Sequence, residues 1–173
     1  MRTEKVIVEK YDPMWKEDLA KICDELMPSL KGLILAAEHV GSTAVEGMSA
    51  KPIIDIDLVI SDQRMLEPVI HALESIGYHH EGDLGIEGRE AFRYEGKEHL
   101  RIHHLYVCSK DSLELKRHLG FRDYLRSHPE AVLEYSIVKE EAAKLFPDDI
   151  EKYMEYKSSV IERLYHAAGI LDL

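Results

Sequence analysis

The sequence is short of cysteine and of positive charge. It contains two cysteines, Cys23 and Cys108, and neither has a Cys or His at the spacing of a zinc ligand. This scarcity argues against a disulfide-stabilised secreted domain, and we expect both thiols in the core of a protein from a reducing compartment. Lys and Arg number 22 against 33 Asp and Glu, which gives a formal charge of −11. Such an excess of acid argues against a long nucleic-acid backbone as partner but is compatible with a single nucleotide.

Long apolar segments are missing as well. No stretch approaches the length of a membrane span, and Met1–Glu9 lack the apolar run of a signal peptide, so we expect a cytoplasmic protein. The 173 residues suit one domain, and 45% hydrophobic with 32% charged residues is typical of a globular chain. We therefore predict a single domain over 1–173, with a sheet-containing core over 1–110 and C-terminal helices over 111–173.

The most informative stretch is 38–61. Pro52 opens a run of β-branched and aliphatic residues, typical of a strand, that only Asp55 and Asp57 interrupt. Because side chains alternate along a strand, the two carboxylates share one face. A buried pair of like charges needs a cation, and Mg²⁺ best suits a site of aspartate and phosphate oxygens. The sequence therefore predicts Mg²⁺ at Asp55 and Asp57.

The loop before this strand contains Gly41 and Ser42. Glycine lets the backbone approach a ligand closely, and serine offers a hydroxyl and an N–H group. Together they form what we call the clasp, a candidate site for phosphate. Either half of the pattern alone is common, but the ordered combination of clasp and Asp-x-Asp strand is much more specific.

This combination resembles the nucleotidyltransferase superfamily that includes DNA polymerase β. More narrowly, His39–Asp57 resembles the signature of the GrpB (UPF0157) family, and Phe121–Glu130 with Tyr135 and Lys139 resembles the C-terminal signature of the same family. The resemblance covers nearly the whole chain. It implies an α+β fold with a nucleotidyltransferase-like mixed β-sheet, packed helices and a helical C-terminal portion.

Hydrophobic periodicity and turn residues predict the remaining elements. They are a possible strand at Val6–Val8, a helix from Asp12-Pro13 that Pro28 and Gly32 end, a strand at Leu33–Val40, a helix between Asp62 and Gly77, a strand at Tyr78–Glu81, a glycine-rich loop at 82–88, a hairpin whose second strand is Leu100–Cys108, and helices at 112–127, 130–146 and 148–169.

The resemblance implies a Mg²⁺-dependent transfer of a nucleoside monophosphate from a nucleoside triphosphate to an unknown small-molecule or protein acceptor. The candidate catalytic residues are Asp55, Asp57 and His104. The candidate phosphate-binding residues are Gly41, Ser42, Lys51, Arg89, Arg122 and Lys157. Arg122, Lys139 and Lys157 fall on apolar helix stripes, where each needs either a bound anion or an internal carboxylate, and for Lys139 we favour a structural role.

Members of the superfamily normally carry a third carboxylate on a neighbouring strand, and Leu100–Cys108 contains none. His104 stands roughly where the third carboxylate is expected. The alternatives left open are that Glu90, Glu95 or Glu98 substitutes for it, that two carboxylates and water hold the metal, or that the chain has lost catalysis. His104 fits the family pattern and Tyr106 departs from it, so the resemblance does not imply a histidine pair as metal site.

Two other functions remain open. One is a non-catalytic module that binds a nucleotide or phosphometabolite and is linked to coenzyme A metabolism, because the family resembles a domain fused to dephospho-coenzyme A kinase. The other is a metallohydrolase based on the ten histidines. We disfavour it because His79-His80 and His103-His104 are adjacent pairs, whose members point to opposite faces of a strand. The sequence specifies neither the acceptor, nor the nucleobase, nor the oligomeric state.

Overall fold

The computed structural model describes residues 5–171 and 173. Within these residues, five strands form one mixed sheet and five α-helices pack around it. The strands are β1 (Ala36–Val40), β2 (Ile54–Ile60), β3 (Tyr78–Gly82), β4 (Glu90–Tyr94) and β5 (His103–Ser109). The helices are α1 (Met14–Leu30), α2 (Leu66–Glu74), α3 (Leu113–Arg126), α4 (Pro129–Leu145) and α5 (Ile150–Ala168).

The sheet has the strand order β1-β2-β5-β4-β3. β2 and β5 run parallel, whereas the β1-β2, β5-β4 and β4-β3 pairs are antiparallel. A parallel pair needs a long crossover, and the chain makes it through α2, β3 and β4. The mixed sheet with packed helices confirms the predicted α+β fold.

One face of the sheet is apolar. Alternate residues of β2 from Ile54 to Ile60 point to this face and are almost fully buried, together with Leu105 and Val107 of β5. α1 and α2 cover them with buried residues such as Trp15 and Leu73. Each such side chain stabilises the fold by about 1.5–3 kcal/mol through its burial, so this layer fixes the register of β2. That register sends Asp55 and Asp57 to the opposite face.

The opposite face is covered by α3, and α4 and α5 pack beside it. The ends of these three helices lie within two residues of the predicted ones. Ser112 caps α3 by accepting from the N–H of Leu115, and Gly169 ends α5 in a left-handed conformation. None of the helices in residues 5–171 combines the length and the apolar character that a bilayer crossing requires.

Four details of the structure differ from the sequence pattern or refine it. Pro28 lies inside α1, because a proline in the last turn removes only one hydrogen bond while buried Leu26 and Leu30 hold the turn against the core. β1 begins at Ala36 and β5 at His103, later than predicted. From residue 5 onward, the N-terminal segment has an isolated bridge that joins Glu9 to Ala50, and Val6–Val8 form no strand.

Candidate functional site

Asp55 and Asp57 lie on the same face of β2, opposite His104 and Tyr106 of the neighbouring parallel strand. Nδ1 of His104 donates to Oδ1 of Asp55 over 2.9 Å. Both side chains of this pair remain about one third exposed, at 33% and 29%. The carboxylate that is closer to the clasp is therefore held by a histidine but still open to a ligand.

Asp57 is fully buried. Its Oδ2 accepts from Nδ1 of His118 over 2.6 Å, and Nε2 of the same ring lies 3.5 Å from a carboxylate oxygen of Glu114. Burial alone would lower the pKa of His118, but the hydrogen bond and charge of Asp57 and the charge of Glu114 outweigh it and raise that pKa. In the described part of the chain, Oδ1 of Asp57 has no hydrogen-bond partner. A buried carboxylate oxygen of this kind is costly unless a cation or water meets it.

The clasp lies directly beside Asp55. Gly41 has φ 75°, in the left-handed region, and a Cβ at this position would lie 2.4 Å from Oδ2 of Asp55. Only glycine therefore fits between the backbone and the carboxylate. A short 3₁₀ turn, Ser42–Ala44, follows and carries the serine hydroxyl toward the C-terminal helices.

Helix α3 fastens this loop to the sheet. Nε and Nη2 of Arg126 donate to the carbonyl of Ala44 over 3.0 and 2.8 Å. Nη1 of Arg122 donates to the carbonyl of His39 over 3.1 Å and forms an ion pair with Glu38 at 2.7 Å. These contacts lie on either side of the clasp, so the conformation of the clasp depends on a helix more than 80 residues further along the chain.

A second group of contacts joins the loop, through Thr43, to residues next to β2 and in β1. The hydroxyl of Thr43 donates to the carbonyl of Ile53, and Nε2 of His39 lies 2.9 Å from the same hydroxyl oxygen. Burial, with Arg126 and Arg122 nearby, lowers the pKa of His39 to about 4 although Asp55 opposes the shift. His39 is therefore neutral near pH 7 and donates to Thr43 from Nε2.

A cavity of about 330 Å³ opens between the sheet and the C-terminal helices. Three lysines line it, namely Lys51 from the loop before β2, Lys139 from α4 and Lys157 from α5. Lys139 is 2% exposed and donates to the hydroxyl of Ser42 and the carbonyl of Ser49; Lys157 is 8% exposed. Across residues 5–171, no carboxylate lies within ion-pair distance of any of the three ammonium groups.

Tyrosine rings accompany the lysines. The ammonium of Lys139 lies 4.1 Å from the ring centre of Tyr135, and that of Lys157 lies 4.8 Å from the ring centre of Tyr153. Burial is the main reason that the pKa of each lysine is lowered, and their mutual repulsion adds to it for Lys139 and Lys157. The pKa of Lys157 falls to about 8. The cavity thus holds amines whose pKa values are lowered mainly by burial, and a bound anion would raise those pKa values again.

Most of the predicted site residues lie around this one cavity. Those in its lining are Gly41, Ser42, Lys51, Asp55, His104, Arg122 and Lys157. Asp57 lies behind the lining, against His118. Arg89 lies outside it, with its guanidinium 4.2 Å from the ring centre of Tyr106. Arg122 has the internal carboxylate partners that the sequence left open, Glu38 and Asp123, whereas Lys157 has none among the residues that the structure describes.

Sequence reasoning missed two residues of the site. Lys139 is central to the cavity although its position on an apolar stripe favoured a structural role. His118 was not considered at all. The signal for Lys139 was its place in the second family-like block, beside Tyr135; for His118 no signal was available, because its partner Asp57 lies 61 residues away.

None of the acidic substitutes for a third carboxylate lies at the cavity. Glu90 is paired with Val107 across the β4-β5 ladder, which puts it on the apolar face, and it contacts His80 at 2.6 Å. Glu95 and Glu98 are exposed in the connection that follows β4. In the part of the chain that the structure describes, no three His, Cys, Asp or Glu side chains are grouped as ligands of a metal ion.

Two acidic oxygens nevertheless fit a hard cation. Each histidine holds one oxygen of its aspartate, which leaves Oδ2 of Asp55 and the unpartnered Oδ1 of Asp57. Mg²⁺ is commonly bound through one or two carboxylates with water and substrate phosphates supplying the other ligands. The residues present fit that mode of binding and do not fit a metal cage built from protein ligands alone.

Comparison with known proteins gives a consistent assignment. A family model described as GrpB protein matches residues 5–167. The UPF0157 protein YqkA of Bacillus subtilis is 33% identical over 158 residues, which cover 91% of this chain and 46% of YqkA. The chain thus spans about half the length of that relative. The crystal structure of the conserved protein GrpB from Enterococcus faecalis superposes with a TM-score of 0.81 at 35% identity, covering 94% of this chain and 96% of that one.

Two more distant proteins also match this chain, one in structure and one in sequence. The Cid1 poly(U) polymerase, in a structure with MgGTP bound, has a TM-score of 0.54 at 12% identity over 78% of this chain and 44% of its own. This likeness concerns the fold alone. A dephospho-CoA kinase of Mycolicibacterium paratuberculosis is 26% identical over 182 residues, which cover 91% of this chain and 44% of the kinase.

Proposed function

We propose that this chain, which belongs to the GrpB family, binds a nucleoside triphosphate in the lysine-lined cavity and transfers its nucleoside monophosphate to a small-molecule or protein acceptor. One observation carries the proposal. Three lysines line the same cavity as the carboxylate of Asp55, beside a glycine-serine clasp, and none of the three has a carboxylate partner in the described residues. Two of them, Lys139 and Lys157, are buried. A polyphosphate with a bound cation has charges that complement both sets of groups, since its phosphates match the lysines and its cation matches Asp55.

The lysines and the clasp would hold the phosphates. Lys139 already donates to the hydroxyl of Ser42, so a phosphate oxygen at this point would receive hydrogen bonds from an ammonium and a hydroxyl together. Gly41 keeps the backbone beside Asp55 free of a side chain. Burial excludes water from Lys139 and Lys157 and therefore strengthens their attraction for an anion.

Asp55 and Asp57 would hold Mg²⁺, and the bound ion would neutralise part of the negative charge of the phosphates. His104 orients Asp55 through Nδ1, which leaves Nε2 free to take the proton of the acceptor. The acceptor oxygen or nitrogen attacks the α-phosphorus, the bond from that phosphorus to the bridging oxygen breaks, and pyrophosphate leaves. The lysines then stabilise the charge that develops on the departing pyrophosphate.

The fold that this chain shares with a nucleotide-binding polymerase supports the proposed reaction class. The Cid1 poly(U) polymerase shares the fold and was crystallised with MgGTP. The acidic surface of the present chain, with its formal charge of −11, disfavours a long polynucleotide as acceptor. A small molecule or a protein side chain is the acceptor that we favour.

A second function is favoured by a separate observation. Both aspartates are already engaged by histidines, and a third carboxylate is missing from the cavity lining, so the site is also suited to binding a nucleotide or phosphometabolite without turnover. Similarity to a dephospho-CoA kinase makes coenzyme A precursors the first candidates for this module.

A thermal-shift screen of the common nucleotides and coenzyme A precursors, with and without Mg²⁺, tests both functions. For the transferase we expect a nucleotide to raise the Tm more with Mg²⁺ than without it, and pyrophosphate to appear when acceptors are supplied. Stabilisation without pyrophosphate across a broad acceptor panel would select the binding module. Absence of any shift with every nucleotide and precursor would refute both.

A further inference from the structure

The three lysines that line the cavity come from separate parts of the chain. Lys51 precedes β2, Lys139 belongs to α4 and Lys157 to α5, yet all three face one space of about 330 Å³. Lys139 and Lys157 are among the few charged residues that are buried in the described chain, and the third buried lysine, Lys97, has an acidic partner in Glu25. The fold therefore brings together amines whose charge it leaves uncompensated.

The charges around this cluster are mostly engaged elsewhere. Arg122 is bound to Glu38 and Asp123, Arg117 to Glu114, and Asp55 to His104. The titratable and charged groups that line the cavity with the lysines, taken from every element around it, are Asp55, His104, Arg117, His118, Arg122, Tyr135, Tyr153 and Tyr165. Among them only Asp55 is acidic near pH 7, so the cluster has a net positive potential whenever its amines are protonated.

Burial and proximity both oppose full protonation. The fully protonated cluster would place three positive charges in one desolvated space, with Asp55 as the single opposing charge. The empty site is therefore expected to hold fewer than three of the protons that three exposed lysines would carry. An anion that enters the cavity reverses both effects, because it attracts each ammonium and screens the repulsion between them.

We propose that the three-lysine cluster is an oxoanion site that binds pyrophosphate or the end of a polyphosphate together with protons, and that it does so without a divalent cation. The inference rests on the proposed use of the cavity as a phosphate site and adds how the anion is recognised. The lysines bind the anion directly, whereas the aspartates and Mg²⁺ are needed only for the rest of the ligand. Proton uptake makes the affinity decrease as the pH rises.

The test is isothermal titration calorimetry, in which sodium pyrophosphate is titrated into the full chain in the presence of EDTA. At one pH, two buffers with different ionisation enthalpies are compared, and the observed heat is expected to differ between them because protons are taken up on binding. The affinity is expected to fall between about pH 7 and about pH 9, by up to about tenfold per pH unit for each proton taken up. Binding that needs Mg²⁺, or binding whose heat is the same in both buffers, would overturn the proposal.

Variants separate the lysine cluster from the carboxylates. Lys139→Met is expected to weaken pyrophosphate binding in EDTA at least tenfold, and Lys116→Met, at an exposed position of α3, to leave it unchanged. Asp55→Asn is expected to retain or tighten it, since one negative charge is removed. If Lys139→Met does not fold, Lys157→Met makes the same test, and unchanged affinity in the tested variant refutes the site. Proton-linked binding of pyrophosphate without nucleotidyl transfer would disprove the transferase and leave this inference intact.

Discussion

Replacing Lys157 by methionine should make the ligand-free protein more stable. The side chain is 8% exposed and has no acidic partner in the described residues, and its burial together with the charge of Lys51 lowers its pKa from 10.5 to about 8. Methionine has a similar length and no charge, so it fills the same space without the cost of burying an ammonium group. The substitution therefore removes the free-energy cost of burying the charged amine in the ligand-free protein.

The size of the effect follows from the pKa. At about 1.4 kcal/mol per pH unit, a shift from 10.5 to about 8 corresponds to a penalty of about 3 kcal/mol near pH 7. The cation–π contact with Tyr153 opposes it, since a desolvated contact of this kind stabilises the ammonium by about 2 kcal/mol. We expect a net gain of about 1–3 kcal/mol in the free energy of unfolding.

The sign of the pH dependence is fixed by the direction of the shift. Below a pH of about 8 the amine is protonated in both the folded and the unfolded state, so the wild type carries the whole penalty. As the pH rises from about 8 toward 10.5, the folded protein loses its proton first and the penalty disappears. The advantage of Lys157→Met should accordingly be largest near neutral pH and should vanish at high pH.

Urea unfolding of wild type and Lys157→Met at about pH 7 and about pH 10 measures the gain in the free energy of unfolding at each pH. The matched control is Lys116→Met, at an exposed position, which should stay within about 0.5 kcal/mol of wild type. A variant less stable than wild type at both pH values would refute the reasoning. So would a gain that is the same at both, because the gain would then not come from the buried charge.

Three further results are expected. Asp55→Asn should abolish the Mg²⁺-dependent rise in Tm that a nucleotide causes while leaving the Tm of the free protein nearly unchanged, and an undiminished nucleotide shift would contradict the site. Gly41→Ala should lower stability and weaken nucleotide binding, because its Cβ would meet Asp55 at 2.4 Å; Gly47→Ala is the control, with a similar φ of 83° but its nearest neighbour at 3.9 Å. Arg126→Ala should lower the free energy of unfolding by about 1–2 kcal/mol in urea, and it should weaken nucleotide binding in thermal-shift measurements because the clasp loosens. Arg126→Lys should restore part of both. Equal losses in the two variants would contradict a role for the hydrogen bonds from Arg126 to the carbonyl of Ala44.

The strand β2 could be predicted closely because its pattern has one physical solution. Apolar residues at every second position must face a core, and this forces Asp55 and Asp57 onto one side. The same alternation predicted that one of His103 and His104 points inward, and His103 is the buried one, with Nε2 2.8 Å from the hydroxyl of Tyr78. Local patterns of this kind fix directions along an element reliably.

Boundaries and long-range partners were harder to predict. Proline usually ends a helix, but Pro28 sits where tertiary packing of Leu30 outweighs one lost hydrogen bond. The pairing of Asp57 with His118 and of Lys139 with Ser42 joins residues 61 and 97 positions apart, and no local periodicity contains that information. Sequence could identify which residue types belong to the site, whereas the tertiary fold decides which of them meet.

The cavity has its carboxylate and its glycine-serine loop on the sheet side and two of its three amines on the last two helices. A bound polyphosphate would consequently link the first third of the chain to the last quarter, because it would attract the lysines of α4 and α5 while it contacts the loop and the carboxylate on the sheet side. The occupied protein would then resist local opening of α4 and α5 far better than the empty one. On the proposed function, binding of the ligand would thus add to the contacts that already join the C-terminal helices to the sheet side.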